Sequence, residues 1–128
     1  MHQRLMNEAI RVKDMAYAPY SDFRVGAAVL AGDKIYTGCN IENISYGATC
    51  CAERVAIFKA ISEGIRDFKA IAVASDSSGP TFPCGICLQV MAEFNVPKIV
   101  VSDGGGGYNE YTLDDLLPWA FDDISRSL

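Results

Sequence analysis

The sequence contains a single histidine and no long apolar run, and each absence excludes a class of activity. His2 stands at the N-terminus, so the chain offers no suitable base for a Ser-His-Asp or Cys-His mechanism. No run of about 18 consecutive apolar residues occurs, which excludes a membrane-spanning helix. No basic segment precedes an apolar one at the N-terminus, so we expect no secretory signal and a cytoplasmic location.

Basic residues are also few, with 11 Lys and Arg against 16 Asp and Glu and a net charge of −5. They are scattered along the chain, whereas the segment that holds Asp114, Asp115, Asp122 and Asp123 is acidic. A nucleic acid or an anionic membrane would require a clustered basic face. The sequence therefore predicts neither of these partners and favours a small neutral ligand.

The length of 128 residues fits a single domain over residues 1–128, and 50% hydrophobic residues exclude wholesale disorder. Apolar spacing and turn residues predict the order α-β-β-α-β-α-β-β-α, with helices over 3–17, 51–63, 84–94 and 113–117 and strands over 23–30, 34–40, 70–74, 99–101 and 108–112. A strand hairpin followed by helical crossovers indicates an α/β fold, a three-layer α/β/α sandwich with a mixed five-stranded sheet.

Five cysteines are present, an odd number that favours metal binding or catalysis over a disulfide framework. Cys84 and Cys87 lie in a Pro-Cys-Gly-Ile-Cys run at a predicted helix start. Two cysteines at this spacing are half of a zinc site, and the helix-start amides favour their thiolate form. By itself the pair is equally compatible with a redox dithiol, half of a zinc finger or two core cysteines.

A second predicted helix starts with Cys51-Ala52-Glu53-Arg54. Cys51 supplies a third sulfur ligand, and three ligands leave one zinc position for water, as in catalytic sites. Glu53 points to a different side of the helix, from where it reaches over the metal and exchanges protons with that water. Alone, Glu53 would be interpreted as a first-turn glutamate that complements the helix dipole. The two cysteine motifs together favour the catalytic interpretation.

A Cys-x-Glu motif followed by Pro-Cys-x-x-Cys is the signature of zinc deaminases. The whole chain resembles the small homotetrameric cytidine deaminases with three cysteine ligands. The resemblance covers the runs 17–21, 23–28, 38–43, 51–54, 83–90 and 116–118, with Phe121. It implies a Zn²⁺ cofactor on Cys51, Cys84 and Cys87, and Glu53 as the proton carrier. It also implies a cytidine deaminase-like fold and, as a step of pyrimidine salvage, hydrolysis of cytidine and deoxycytidine to uridine and deoxyuridine.

The resemblance assigns further residues to the substrate site. Phe23 flanks the pyrimidine ring, Asn40 and Glu42 hold the ribose 3′-hydroxyl, and the Ala52 backbone contacts the amide edge of the base together with Glu53. Tyr46 and Phe121 reach the active site of a neighbouring subunit, so the resemblance implies a homotetramer with shared sites. Judged from the residues alone, Asn40 and Glu42 would form an ordinary strand-end turn, and Phe121 would be a core aromatic.

The sequence departs from the family pattern at two positions. Leu88 stands where an arginine often follows the last cysteine, which leaves Arg54 to offset the charge of three thiolates. Cys50 lies directly beside Cys51, where an apolar residue is usual. Two alternatives stay open: a deaminase of the same fold acting on another aminated base or nucleoside, and a structural zinc module that uses Cys50 or Cys39 as a fourth ligand.

Overall fold

The computed structural model describes residues 1–121, so Asp122 and Asp123 of the acidic segment lie outside the described residues. The helices are α1 His2–Lys13, α2 Ala52–Ser62, α3 Gly85–Glu93 and α4 Leu113–Leu116, with a 3-10 turn at Tyr46–Ala48. The strands are β1 Val25–Ala31, β2 Lys34–Cys39, β3 Phe68–Ser75, β4 Lys98–Ser102 and β5 Tyr108–Thr112. Of the helices in this part of the chain, none has both the length and the apolar character needed to span a bilayer.

The five strands form one sheet in the order β2-β1-β3-β4-β5. Strands β1 and β2 are an antiparallel hairpin, closed by a turn in which Gly32 has φ +61°. This left-handed conformation suits glycine, because it has no Cβ. Strand β3 runs antiparallel to β1 and parallel to β4, with α3 as the crossover, and β5 returns antiparallel to β4. The predicted mixed five-stranded sheet is confirmed.

Helices cover both faces of the sheet. Helix α1 buries Leu5, Met6 and Ala9 against a face made largely of alanines from β1 and β3. On the opposite face, α2 and α3 bury Ile57 and Met91 against larger side chains of β1, β3 and β4. The alternation of side chains along each strand explains why one face carries small residues and the other carries large ones. These packed faces make the three layers of the predicted sandwich.

The largest difference from the predicted elements is at the end of α1, which stops at Lys13 rather than near residue 17. The backbone N–H of Tyr17 donates to the carbonyl of Asn40 (3.0 Å), and the N–H of Glu42 donates to the carbonyl of Tyr17 (2.9 Å). Tyr17 thereby joins Ile41 in a short parallel bridge. This pairing with a distant segment overrides the helical pattern of the preceding residues.

Two glycines let helices touch the sheet through their backbones. A Cβ at Gly26 would overlap the carbonyl oxygen of Ala9 in α1. A Cβ at Gly38 would lie 2.5 Å from the carbonyl oxygen of Ala52 and 2.5 Å from the amide nitrogen of Ala56. Gly38 therefore fixes the first turn of α2, the turn that carries Glu53, directly on β2.

Gly38→Ala should lower the free energy of unfolding by about 1–3 kcal/mol, because the added methyl group displaces the α2 backbone. Gly47→Ala is the matched control, since a Cβ at Gly47 meets nothing within 4 Å. Urea unfolding of both variants measures the difference. Equal midpoints for Gly38→Ala and the unmodified protein would contradict this account of how α2 is placed.

Candidate active site and metal centre

Two helix N-termini bring three cysteines together. Cys51 is the N-cap residue of α2, Cys84 is the N-cap residue of α3, and Cys87 lies in the first turn of α3. Their three sulfur atoms all lie within 4.8 Å of one another, and the Sγ atoms of Cys51 and Cys84 are 3.7 Å apart. The positive ends of two helix dipoles thus face one cluster of thiols, which favours their thiolate form.

The cluster has the chemistry and the spacing of a zinc site. Two sulfurs that each lie about 2.3 Å from a tetrahedral Zn²⁺ are about 3.8 Å apart, close to the distance between Cys51 and Cys84. Cys87 is buried and Cys84 is exposed, so the cluster opens to solvent on one side. Within residues 1–121, neither Cys39 nor Cys50 belongs to the cluster. Three ligands with an open side are typical of a catalytic zinc site rather than a closed structural one.

Arg54 provides positive charge at the sulfurs. Its Nη2 donates to the Sγ of Cys51 over 3.4 Å, and its Nε is buried without a partner among residues 1–121. Hydrogen bonds from the Cys87 thiol and from Arg54 lower the pKa of Cys51. Leu88, at the position where the family often has a second arginine, is packed into the core and supplies no charge.

Glu53 is buried beside the thiols, with only 4% of its surface exposed. Burial, with a further contribution from the negative charge at Cys51, raises the pKa of Glu53 to about 7. A carboxyl group that titrates near neutral pH both accepts and releases protons readily. The first turn of α2 thus places a proton carrier next to a candidate metal ligand.

A second network of hydrogen bonds holds the segment 20–25. The side-chain oxygen of Asn40 accepts from the Val25 N–H (2.9 Å), and its amide nitrogen donates to the Phe23 carbonyl (2.9 Å). The Glu42 carboxylate accepts from the backbone N–H groups of Tyr20 (2.9 Å) and Ser21 (3.1 Å) and from the Ser21 hydroxyl. Asn40 and Glu42 therefore hold the backbone on either side of Phe23, and their binding of a ribose hydroxyl stays a prediction.

Ile41 connects this network to the thiol cluster. Lying between Asn40 and Glu42, Ile41 exchanges two backbone hydrogen bonds with Cys50, of 3.0 and 2.9 Å. The segment of Asn40 and Glu42 is therefore fixed next to Cys51. Cys50 contributes its backbone N–H and carbonyl to this pairing. Partial burial raises the pKa of its thiol.

Tyr46 and Phe121 both present exposed rings. Tyr46 is 77% exposed, packs edge-on against Tyr20, and lines a cleft of about 340 Å³ together with Glu42. Phe121 is 57% exposed, and its carbonyl accepts a 2.6 Å hydrogen bond from Gln89 of α3. Ala52, by contrast, is fully buried at the start of α2. The predicted intersubunit residues are thus accessible in a single chain.

Sequence reasoning assigned no individual role to Tyr20, Ser21 or Asp76. Tyr20 and Ser21 bond to Glu42, which lies 22 and 21 positions further along the chain. Asp76 bonds to Arg24, 52 positions away. Helix and strand periodicities describe neighbours along the chain, so they carry no signal for such pairs. Of the quoted motif runs, 17–21 includes Tyr20 and Ser21, and none includes Asp76.

Known proteins are similar to this chain in both fold and sequence. Residues 1–103 match the family model described as "Cytidine and deoxycytidylate deaminase zinc-binding region". The chain is 50% identical to a cytidine deaminase of Sporosarcina psychrophila, over 93% of this chain and 90% of that protein. It is 52% identical to one of Halalkalibacterium halodurans, over 93% and 92%. A 1.6 Å crystal structure of cytidine deaminase from Burkholderia pseudomallei superposes with a TM-score of 0.89 at 45% identity, covering 94% and 99% of the two chains.

Zinc retention should depend on the three clustered cysteines only. Cys84→Ser should lose the metal without unfolding, because Cys84 is exposed and a serine hydroxyl is a poor zinc ligand. Cys39→Ser and Cys50→Ser should retain one zinc per chain, measured by mass spectrometry of the metal. Chelation should lower the melting temperature of the unmodified protein but not of Cys84→Ser. Loss of zinc from Cys50→Ser would instead support a four-cysteine structural site.

Proposed function

The chain belongs to the cytidine and deoxycytidylate deaminase family, and on that premise we propose that it hydrolyses cytidine and deoxycytidine to uridine and deoxyuridine, releasing ammonia. The observation that carries the proposal is the meeting of three thiols with a buried carboxyl group of raised pKa. A metal centre of this kind with an adjacent acid–base group is suited to attack by water on the aminated carbon of the base.

The ligands in this proposal are Cys51, Cys84 and Cys87, which together hold Zn²⁺. When bound, zinc lowers the pKa of a water molecule and so makes it a nucleophile at neutral pH. Glu53 would accept a proton from the attacking water and deliver it to N3 of the cytosine ring as the water oxygen bonds to C4. Glu53 would then carry the remaining proton of that oxygen to the amino nitrogen. The C4–N bond breaks, ammonia leaves, and the oxygen stays on C4 as the carbonyl of uridine. No organic cofactor enters this reaction.

The remaining site residues bind the nucleoside in the same proposal. Phe23 packs against the pyrimidine ring, and its partial exposure (36%) leaves its surface accessible to a ligand. The Ala52 backbone contacts the amide edge of the base beside Glu53. Asn40 and Glu42 hold the ribose 3′-hydroxyl. They use the donor and acceptor positions that their own hydrogen bonds to segment 20–25 leave free. Comparing cytidine, cytosine and guanine in one assay separates this substrate from another aminated base on the same fold.

Glu53→Gln should fold and retain zinc, since Glu53 is not a ligand, while its turnover falls about 10²–10⁴-fold through loss of the proton carrier. Glu63→Gln is the matched control, because Glu63 is an exposed glutamate at the other end of α2. Turnover is followed by the absorbance change of cytidine. A loss of less than about tenfold in Glu53→Gln would remove Glu53 from the mechanism.

We propose further that Arg54 and the helix-start amides together offset the charge of the three thiolates, with no second arginine. Three thiolates and Zn²⁺ leave an excess of negative charge, which weakens the acidification of water. Arg54 donates to Cys51, and it opposes the rise in the pKa of Cys87 that the hydrogen bond to Cys51 and burial cause. Since Leu88 is buried in the core, it shares none of this task.

Arg54→Ala should therefore reduce zinc affinity or turnover about 10–100-fold, the usual effect of removing a group that supports a metal ligand. Arg66→Ala, at an exposed site, is the control. Competition with a colorimetric chelator measures the zinc affinity. If Arg54→Ala has the zinc affinity and turnover of the control, another group supplies the compensation.

We propose that the enzyme is a cytoplasmic homotetramer whose active sites are shared between subunits. Large apolar side chains stay exposed in the single chain, among them Trp119 at 94%. An apolar groove of about 550 Å³ also lies between α2 and α3 and includes Phe58 and Ile86. Apolar surfaces of this kind mark contacts between subunits more often than free surface. Five free thiols suit a reducing compartment.

Shared sites predict that two inactive variants restore activity when mixed. Phe121→Ala should lose activity because its neighbour's site is incomplete, and Glu53→Gln should lose activity in its own site. Hybrids contain sites with an intact Glu53 from one chain and an intact Phe121 from the other. Mixing after reversible dissociation, followed by sedimentation and the cytidine assay, should recover part of the activity. A fully active monomer, or a mixture no more active than its parts, would refute the sharing.

A further inference from the structure

Asp76 follows the last residue of β3 and binds the residue next to Phe23. Its Oδ2 accepts from the backbone N–H of Arg24 over 2.9 Å, and its own N–H donates to the Arg24 carbonyl over 3.0 Å. The Arg24 guanidinium also donates to both carboxylate oxygens, over 3.1 and 3.2 Å. Asp76 thus binds both the backbone and the side chain of Arg24.

Lys13 joins this pair to the core. Its Nζ lies 3.1 Å from Oδ1 of Asp76, and the two side chains are only 19% and 25% exposed. Lys13 is the last residue of α1, where the helix backbone touches β1 at Gly26. Asp76 is fixed from the other side by the pairing of Ser75 with Val25. Asp76 and its second partner Lys13 are therefore both anchored on rigid elements.

The backbone directly before Phe23 has an uncommon conformation. Asp22, directly before Phe23, has φ +55°, a left-handed conformation that residues with a Cβ adopt rarely. Backbone of this kind persists where the surrounding contacts determine it, and it is concentrated at functional sites. The segment 20–25 is held by Glu42 at its start, by Asn40 at Phe23 and Val25, and by Asp76 at Arg24. Of these three side chains, only Asp76 has no place in the proposed substrate site.

We propose that Asp76, braced by Lys13 and bound to Arg24, is a positioning residue that fixes Phe23 against the pyrimidine ring. The inference rests on the role proposed above for Phe23. Asp76 acts through the backbone of Arg24 and does not touch the substrate. Substitution of Asp76 should therefore weaken the binding of the nucleoside while the thiol cluster and Glu53 keep their chemistry.

The test compares Asp76→Ala and Asp76→Asn with Glu110→Gln, an ion-paired carboxylate on β5 at the far edge of the sheet. Asp76→Ala should raise KM for cytidine about tenfold with kcat changed less than about threefold, the pattern of lost uniform binding. Asp76→Asn should give an intermediate KM, since its carbonyl oxygen still accepts from the Arg24 N–H. Zinc content should stay at the value of the unmodified protein, and Glu110→Gln should leave KM unchanged.

Amide hydrogen exchange gives a second readout that does not depend on activity. Exchange in a peptide covering residues 20–26 should rise in Asp76→Ala, while exchange in β4 stays as in the control. An unchanged KM in both Asp76 variants would overturn the proposal. Parallel losses of zinc, kcat and folded fraction would also overturn the proposal, because they would show a merely structural role. If the unmodified protein fails to deaminate cytidine, the proposed function fails, and the local exchange alone decides whether Asp76 holds the segment.

Discussion

The thiols of Cys51, Cys84 and Cys87 meet because two helices begin at the same place. The N-cap residues of α2 and α3 are both cysteines, and their sulfurs are 3.7 Å apart. Each helix start adds unpaired N–H groups and the positive end of a dipole, so negative sulfur is stabilised from two sides. The glycine at position 38 fixes one of these helix starts by letting the α2 backbone touch β2. The sheet thus sets the geometry of the thiol cluster, and the cluster in turn defines where Glu53 and Arg54 act.

Burial and charge give two neighbouring residues of one helical turn different properties. Glu53 is buried, and its pKa rises to about 7, while Arg54 keeps its charge at the sulfurs. In the proposed mechanism, Glu53 carries protons, and Arg54 balances thiolate charge together with the helix-start amides. Leu88 lies in the core, so it adds no second positive charge to this balance.

The sequence predicts well what is local or repetitive. The periods of the apolar residues predict the order of helices and strands, and the two cysteine motifs predict the metal cluster, because these patterns repeat at helix and strand spacing or match a known ligand spacing. The predicted end of α1 was wrong because Tyr17 pairs with Ile41, 24 positions away. No local pattern of residues predicts such a bridge. For the same reason, we did not predict the hydrogen bonds that Asn40, Glu42 and Asp76 make to segment 20–25. Each of these contacts depends on the assembled sheet.

We propose that this chain uses water held at zinc to replace the amino group of a cytosine nucleoside. The most direct test of this proposal is deamination of cytidine by the zinc-loaded enzyme in water enriched in ¹⁸O. Mass spectrometry of the product and an ammonia assay measure the two halves of the reaction together. We expect one ¹⁸O atom at C4 of each uridine and one ammonia per uridine, with both lost when the zinc is removed. Ammonia without ¹⁸O at C4, or equal turnover by the metal-free protein, would contradict it.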